Sequence, residues 1–176
     1  AVATGADLVA YSGFSTSNYL KTPIAPGLAW GTGDFCYTGW YNTTLTSSNQ
    51  RLFSHGNASS GASLEYISLL INSSNLLQVD VCAAGVSTST GGVVTPLANS
   101  WNHICVVRRS GILSIYQNGQ FGASYAWAGN FNLGNSFFAI GIDQTIVQAF
   151  SGSLALWRAS AIAPSPQDIS KMYNDE

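Results

Sequence analysis

The spacing of apolar runs most strongly constrains what this chain can fold into. The runs are short and are interrupted about every ten residues by Gly, Asn and Ser. Such punctuation is typical of an all-β sandwich, and we predict one over residues 1–176 as a single domain. The clearest predicted strands are Asp34–Tyr41, Ser63–Ile71, Leu76–Ala83, His103–Arg109, Ile112–Gln117, Phe137–Ile142 and Phe150–Trp157.

Turn residues place the first predicted hairpin in register. A four-residue loop over Asn72–Asn75 would set Ile71 opposite Leu76, which puts Leu64, Tyr66 and Leu70 on the core face. In this register Glu65 lies opposite Cys82, so that Asp80 is its diagonal neighbour.

A second hairpin turns at Ser110-Gly111, and Asn118-Gly119 is predicted to form a two-residue turn of the primed type. The two predicted strands of the hairpin that turns at Ser110-Gly111 are apolar on both faces. Strands of that kind are usually central and are covered on both sides, by loops or by another subunit.

The chain has one predicted helix, at its C-terminal end. Ser165 is a candidate N-cap, Pro166 suits the first helical position, and Asp168 lies near the positive end of the helix dipole. Ile169, Met172 and Tyr173 share one face, which predicts two turns docked on the sandwich.

Composition excludes two classes of partner. Six basic and eight acidic residues cannot supply the dense cationic surface that nucleic acid requires. Apolar runs are too short to span a bilayer, so we expect no membrane insertion. Because no initiator Met or signal peptide precedes the strands, we interpret the chain as a fragment of a longer protein or a processed mature protein.

Three cysteines, Cys36, Cys82 and Cys105, form neither an even set nor a C-x-x-C pair. We predict buried, reduced thiols. One disulfide with a spare thiol is the alternative.

Several short motifs follow one another in a recognisable order: Asn18-Tyr19-Leu20, Gly31–Phe35, Ser100–Arg108, Ser114–Gly119, Phe150–Arg158 and Pro166–Tyr173. This order resembles laminin-G-like, concanavalin A-like domains. The resemblance implies a two-sheet antiparallel jelly-roll sandwich with one short C-terminal helix. The closing Lys171–Glu176 segment also resembles laminin-G-like domains carried within phage tail fibres and tailspikes.

The resemblance also bears on metal binding and catalysis. Members often bind calcium through acidic loop residues, and here Asp143 is the one candidate ligand, so we expect no cofactor beyond weak calcium. Related glycoside hydrolases carry Glu-x-Asp-x-x-Glu, a motif that this chain lacks. Glu65 and Asp80 leave a two-carboxylate hydrolase site open as a minor alternative to solvated carboxylates.

Binding domains of this fold recognise glycans or proteins through rim loops or the concave face, and a sugar site needs an exposed aromatic flanked by polar side chains. The predicted loop Gly122–Asn132 contains Tyr125, Trp127 and Asn130 among small residues. Trp127 either closes the core edge or forms an exposed platform, and we predict the platform. Arg51, His55 and Asn57 either line the same rim or are ordinary solvated loop positions.

These observations favour a non-catalytic carbohydrate-binding, receptor-recognition domain of a larger fibre or surface protein, such as one used in phage host adhesion. The expected location is extracellular or on the virion, and the expected partner is a cell-surface glycan or polysaccharide. A structural module that forms a homotrimer within a fibre is the main alternative, and the hydrolase is the second.

Overall fold

Two six-stranded antiparallel sheets packed face to face form the computed structural model, which describes residues 9–23, 26–57, 64–131 and 136–176. The predicted two-sheet antiparallel sandwich is confirmed. In spatial order, sheet A consists of β1 (Tyr11–Ser12), β12 (Gly152–Ser160), β3 (Phe35–Thr43), β8 (Trp101–Arg109), β9 (Ile112–Gln117) and β10 (Gln120–Ala126). Sheet B consists of β2 (Leu20–Lys21), β11 (Phe137–Ile140), β4 (Gln50–Gly56), β5 (Tyr66–Ile71), β6 (Leu77–Ala83) and β7 (Val86–Ser89). A 3-10 turn at Pro26–Leu28 and helix α1 (Pro166–Asp175) complete the described elements.

The core lies between the sheets and is built by alternate residues of each strand. On β3 the inward side chains include Phe35, Tyr37 and Tyr41, which are fully buried. Gly39 interrupts this series because Trp157 packs directly over it. A Cβ at position 39 would lie 2.6 Å from the indole, so only glycine allows the approach.

The β5–β6 hairpin differs by one residue from its predicted register. Asn72 accepts hydrogen bonds through Oδ1 from the backbone amides of Ser74 (3.0 Å) and Leu76 (3.1 Å), so Leu76 becomes part of the turn. Ile71 therefore pairs with Leu77. The predicted core position of Tyr66 is wrong, because a one-residue shift exchanges the two faces of a strand.

Both predicted turns are confirmed, and both have the positive φ angles of the primed type that was predicted for Asn118-Gly119. Ser110 and Gly111 have φ values of 48° and 77°, and Asn118 and Gly119 have values of 51° and 75°. The expectation that β8 and β9 are apolar on both faces also holds.

Helix α1 covers the second apolar face. Ile169 packs against Cys36, Cys105 and Val107 on the outer side of sheet A. The helix begins as predicted, with a capping box in which Ser165 Oγ accepts from the Asp168 amide at 3.1 Å and the Asp168 carboxylate accepts from the Ser165 amide at 2.9 Å. The chain itself thus supplies the cover over Cys36, Cys105 and Val107.

The buried thiols of Cys36 and Cys105 lie with their sulfur atoms 3.1 Å apart, across β3 and β8. Cys36 pairs with Val107 and Cys105 with Thr38, so the two cysteines are diagonal neighbours. Their Cα atoms are then about 7–8 Å apart, more than the roughly 4.4–6.8 Å that a disulfide spans. The hydrogen bond with Cys36 and then burial raise the pKa of Cys105, which keeps its thiol protonated and unreactive.

We therefore expect the folded protein to contain three free thiols. Alkylation of the denatured, unreduced protein should add three labels, as measured by intact mass spectrometry. A mass two hydrogens lower, with one label, would contradict this expectation.

Candidate functional site

The residues singled out from the sequence do not gather on one surface. Arg51 and Asp80 lie on the outer face of sheet B, while Asn57 and Glu65 lie just beyond the ends of β4 and β5. Tyr125, Trp127 and Asn130 lie at the free edge of sheet A, in and after β10. His55 is inside the sandwich and Asp143 is in the loop after β11.

His55 does not line a solvent-facing rim. It occupies an inward position of β4, where its Nδ1 lies 2.6 Å from the hydroxyl of Tyr37, which in turn accepts a hydrogen bond from Trp30 Nε1 at 2.5 Å. Burial lowers the pKa of His55 to about 4, so the ring is neutral at physiological pH. His55 therefore hydrogen-bonds through Nδ1 inside the core and does not face solvent.

Trp127 closes the edge of the core and is not a free-standing platform. Its ring lies 4.2 Å from that of Phe131, and a Cβ at Gly129 would approach the indole to 2.3 Å. The segment before it is not a loop, since Gln120–Ala126 forms edge strand β10. Tyr125 and Asn130, on either side of Trp127 in the sequence, are exposed.

The guanidinium of Arg108 holds this end of the sandwich together, a role that the sequence pattern did not predict. It is fully buried and donates to the backbone carbonyls of Gly31, Gly33 and Gly129, with distances of 2.8 Å from Nε to Gly33, Nη1 to Gly129 and Nη2 to Gly31. It also lies within 4.8–5.5 Å of the ring centres of Phe35, Trp127 and Phe131. Burial lowers its pKa, partly offset by Asp34.

The proposed pair of catalytic carboxylates is not formed. In the observed register Asp80 lies opposite Ser68, and Glu65 lies before β5 and out of phase with it. The amide of Glu65 donates to Asn57 Oδ1 at 3.2 Å, and its carbonyl accepts from the Asn57 amide at 3.0 Å. These two residues close the ends of β4 and β5.

Asp143 stabilises the loop in which it lies. Its carboxylate accepts from the Thr145 hydroxyl and from the amides of Val147 (2.6 Å) and Gln148 (3.0 Å). Burial alone would raise the pKa of Asp143, but these hydrogen bonds outweigh it and the net shift is downward. In the described part of the chain, His, Cys, Asp and Glu form no group of three or more that could hold a metal ion.

The outer face of sheet B carries a connected set of polar side chains around Arg51. Its Nη1 donates to Asp80 Oδ2 at 2.7 Å and to Ser68 Oγ at 2.6 Å, and its Nε donates to Gln148 Oε1 at 2.9 Å. Gln78 donates to the other oxygen of Asp80 at 2.7 Å. We call the partly exposed members of this face the polar strip: Arg51, Tyr66, Gln78, Asp80, Ser87, Ser89 and Gln148.

The chemistry of the polar strip suits a neutral ligand rich in hydroxyl groups. The opposite charges of Arg51 and Asp80 compensate each other, so the strip has no strong preference for an ion. Mutual hydrogen bonds fix the planar guanidinium, carboxylate and amide groups before any ligand arrives, which reduces the ordering cost of binding. Tyr66, whose hydroxyl lies 3.4 Å from Ser87, adds an aromatic surface.

Sequence reasoning found Arg51 and Asp80 but missed Gln78 and Gln148. The available signal was the alternation of β6, in which Gln78, Asp80 and Cys82 occupy the face opposite Leu77, Val79 and Val81. Gln148 gave no such signal, because it reaches the strip from the loop that follows β11.

The sequence of the chain matches one known family. A family model described as the concanavalin A-like lectin/glucanases superfamily (Laminin_G_3) matches residues 14–170. No curated protein sequence matches the chain.

Several solved structures share the fold. Domain 4 of AbnA, a GH43 extracellular arabinanase from Geobacillus stearothermophilus, in complex with arabinotriose, superposes with a TM-score of 0.72 at 16% identity, covering 96% of this chain and 82% of that one. The CBM40 of the Ruminococcus gnavus IT-sialidase, bound to α2,3-sialyllactose, gives 0.67 at 15% identity, covering 94% and 98%. A heptameric SAP-like pentraxin from Limulus polyphemus gives 0.55 at 15% identity, covering 80% and 69%.

Proposed function

The chain belongs to the concanavalin A-like lectin/glucanases superfamily, and we propose that it is a non-catalytic carbohydrate-binding domain whose site is the polar strip. The observation that carries this proposal is the pre-ordered network of Arg51, Asp80, Gln78 and Gln148 on a partly exposed sheet face. Two structural neighbours are described as complexes with arabinotriose and with sialyllactose, which supports an oligosaccharide as the class of ligand.

The site residues speak against hydrolysis as the function of this domain. Asp80 is held by Arg51 and Gln78, and Glu65 does not share its face. Both histidines are buried, and burial lowers the pKa of each to about 4, so neither is poised as an acid or base near neutral pH.

We further propose that the domain is one part of a larger extracellular fibre or surface protein. The placement in a phage tail fibre, with adhesion to a host glycan, is the most specific form of this proposal and rests on the resemblance of the C-terminal segment. No helix in the described ranges is long and apolar enough to cross a membrane.

An oligomerising role is the second candidate, and one observation favours it. Phe121 on edge strand β10 and Ile112 on the neighbouring strand β9 remain exposed on the outer face of sheet A, beyond the part of that face against which α1 packs. If three copies associate through this edge, analytical ultracentrifugation should give the mass of a trimer. The variant Phe121→Ser, which removes the exposed aromatic, should then give the mass of a monomer.

The proposal is tested by oligosaccharide binding to matched glutamine variants. Gln78→Ala removes one amide of the polar strip, and we expect affinity for the best array ligand to fall about five- to tenfold, as one hydrogen bond contributes roughly 1 kcal/mol. Asp80→Asn should weaken binding further, because it leaves Arg51 without its ion pair. The measurement is a glycan array that includes arabinotriose and sialyllactose, followed by titration calorimetry.

Gln120→Ala is the matched control, since it removes an exposed glutamine from β10 on the other sheet. Its affinity should equal that of the unmodified protein. Binding that survives in both strip variants would place the site elsewhere, and an array without any ligand would count against carbohydrate binding itself.

A further inference from the structure

A second, chemically different surface lies on the outer face of sheet A. Trp40, Trp101 and Leu156 come from the neighbouring strands β3, β8 and β12 and, together with Glu176, line a cavity of about 190 Å³. We propose that this cavity, here called the tryptophan pocket, is a binding subsite for a single neutral pyranose ring. It is separate from the polar strip and does not depend on it.

The walls of the tryptophan pocket are apolar and open to solvent. Trp101 is 37% exposed and Leu156 is 42% exposed, although both are large apolar side chains. Trp40 is held in place because its ring stacks with Tyr173 of α1 at 5.8 Å and contacts His103 at 5.3 Å. A fixed indole and an exposed one thus line the same cavity, and an indole ring is a surface against which the apolar face of a sugar ring packs.

Backbone conformation holds Leu156 outward. Its φ of 54° is in the left-handed region, which non-glycine residues rarely adopt, and it lies in the register break of β12 between Ala155 and Arg158. The same register break directs Trp157 over Gly39 in the core and leaves Leu156 on the outer face. Strain of this kind is characteristic of positions used for binding.

The polar side of the pocket is electrically balanced. Glu176 forms an ion pair with Arg158 and accepts a hydrogen bond from Trp40 Nε1 at 3.3 Å. Because Arg158 compensates the charge of Glu176, the Glu176 carboxylate offers acceptors for hydroxyl groups without an uncompensated charge, which favours a neutral sugar over an anion or a cation. The cavity is smaller than the roughly 300–1,000 Å³ of pockets that enclose larger ligands, which suits one ring rather than an oligosaccharide.

The experiment uses the intact chain and a panel of methyl α- and β-pyranosides of glucose, galactose and mannose. Binding is measured by saturation-transfer NMR and by the indole signal of Trp101 in two-dimensional spectra, at concentrations up to about 50 mM, since single-ring sites are weak. At least one pyranoside should shift the Trp101 indole signal. Trp101→Ala should weaken that binding about ten-fold or more, and Trp101→Phe should retain part of it.

Two control variants distinguish binding in the tryptophan pocket from binding elsewhere on the domain. Phe121→Ala removes an aromatic that is 59% exposed at the distant edge of the same sheet, and Asp80→Asn disrupts the polar strip, so both should leave pyranoside binding at Trp101 unchanged. Leu156→Asp provides a second variant of the pocket if Trp101→Ala folds poorly. The proposal is overturned if no pyranoside shifts Trp101, if only Asp80→Asn abolishes the shift, or if Trp101→Ala instead dissolves a dimer detected by sedimentation.

Discussion

Arg108→Ala is expected to cost about 3–5 kcal/mol of the free energy of unfolding, because it removes a buried, hydrogen-bonded cation. The variant removes the guanidinium donors from the carbonyls of Gly31, Gly33 and Gly129, of which Gly31 still accepts from the Phe131 amide. It also removes the cation from between three aromatic rings. Urea unfolding at neutral pH measures the loss.

Arg109→Ala is the natural control for this prediction. Arg109 is the next residue, is exposed, and makes one side-chain bond, to the Ala163 carbonyl at 2.6 Å. Its removal should cost less than about 1 kcal/mol. Arg108→Lys should fall between the two, since an ammonium cannot reproduce the planar fork of donors. Equal losses for Arg108→Ala and Arg109→Ala would show that the buried guanidinium does not tie the loops together.

Trp127→Ala is expected to destabilise the protein by about 2–3 kcal/mol, somewhat less than the roughly 3–5 kcal/mol for a fully buried aromatic, because the indole is only half-buried. The loss arises from its contacts with Phe131 and Arg108. Oligosaccharide affinity should stay within about twofold, as measured by calorimetry on the folded variant. Tyr125→Ala, on the exposed edge strand beside it, is the control and should change stability by less than about 1 kcal/mol.

The opposite result would restore the platform that the sequence suggested. If Trp127→Ala abolished oligosaccharide binding while its thermal midpoint hardly moved, the indole would act at the surface. The small neighbours of Trp127 pointed in that direction, because Gly122, Ala123 and Ala126 cannot bury an indole. The same was expected of Ala128 and Gly129, but the indole packs on Phe131, four residues further on, and the lack of a side chain at Gly129 lets it lie close to the backbone there.

Local signals predicted the local structure well. The turns at Ser110-Gly111 and Asn118-Gly119 and the cap at Ser165 each depend on residues within a few positions, and each has the predicted geometry. The β5–β6 register failed for an equally local reason, since the Asn72 side chain takes the amide of Leu76 and lengthens the turn. One residue was enough to separate Glu65 from Asp80.

The candidate site depends on contacts that spacing cannot reveal. Arg51 and Asp80 meet across three strands, and Gln148 joins them from a loop almost a hundred positions later. His55 resembles a rim residue in the sequence because its neighbours are polar and small. In the structure, the alternation of side chains along β4 points the His55 side chain into the core. Arg108 lies within a predicted strand, and only the fold shows the three carbonyls to which it donates.

The most direct test of carbohydrate binding at the polar strip is an NMR titration of the isotope-labelled chain with the best oligosaccharide from the array. If the ligand binds at the polar strip, the largest shifts fall on the side chains of Gln78, Gln148 and Arg51 and on the amides of β6 and β7, which carry the strip. Shifts concentrated instead on residues 125–130, or no shifts at saturating ligand, would contradict binding at the polar strip.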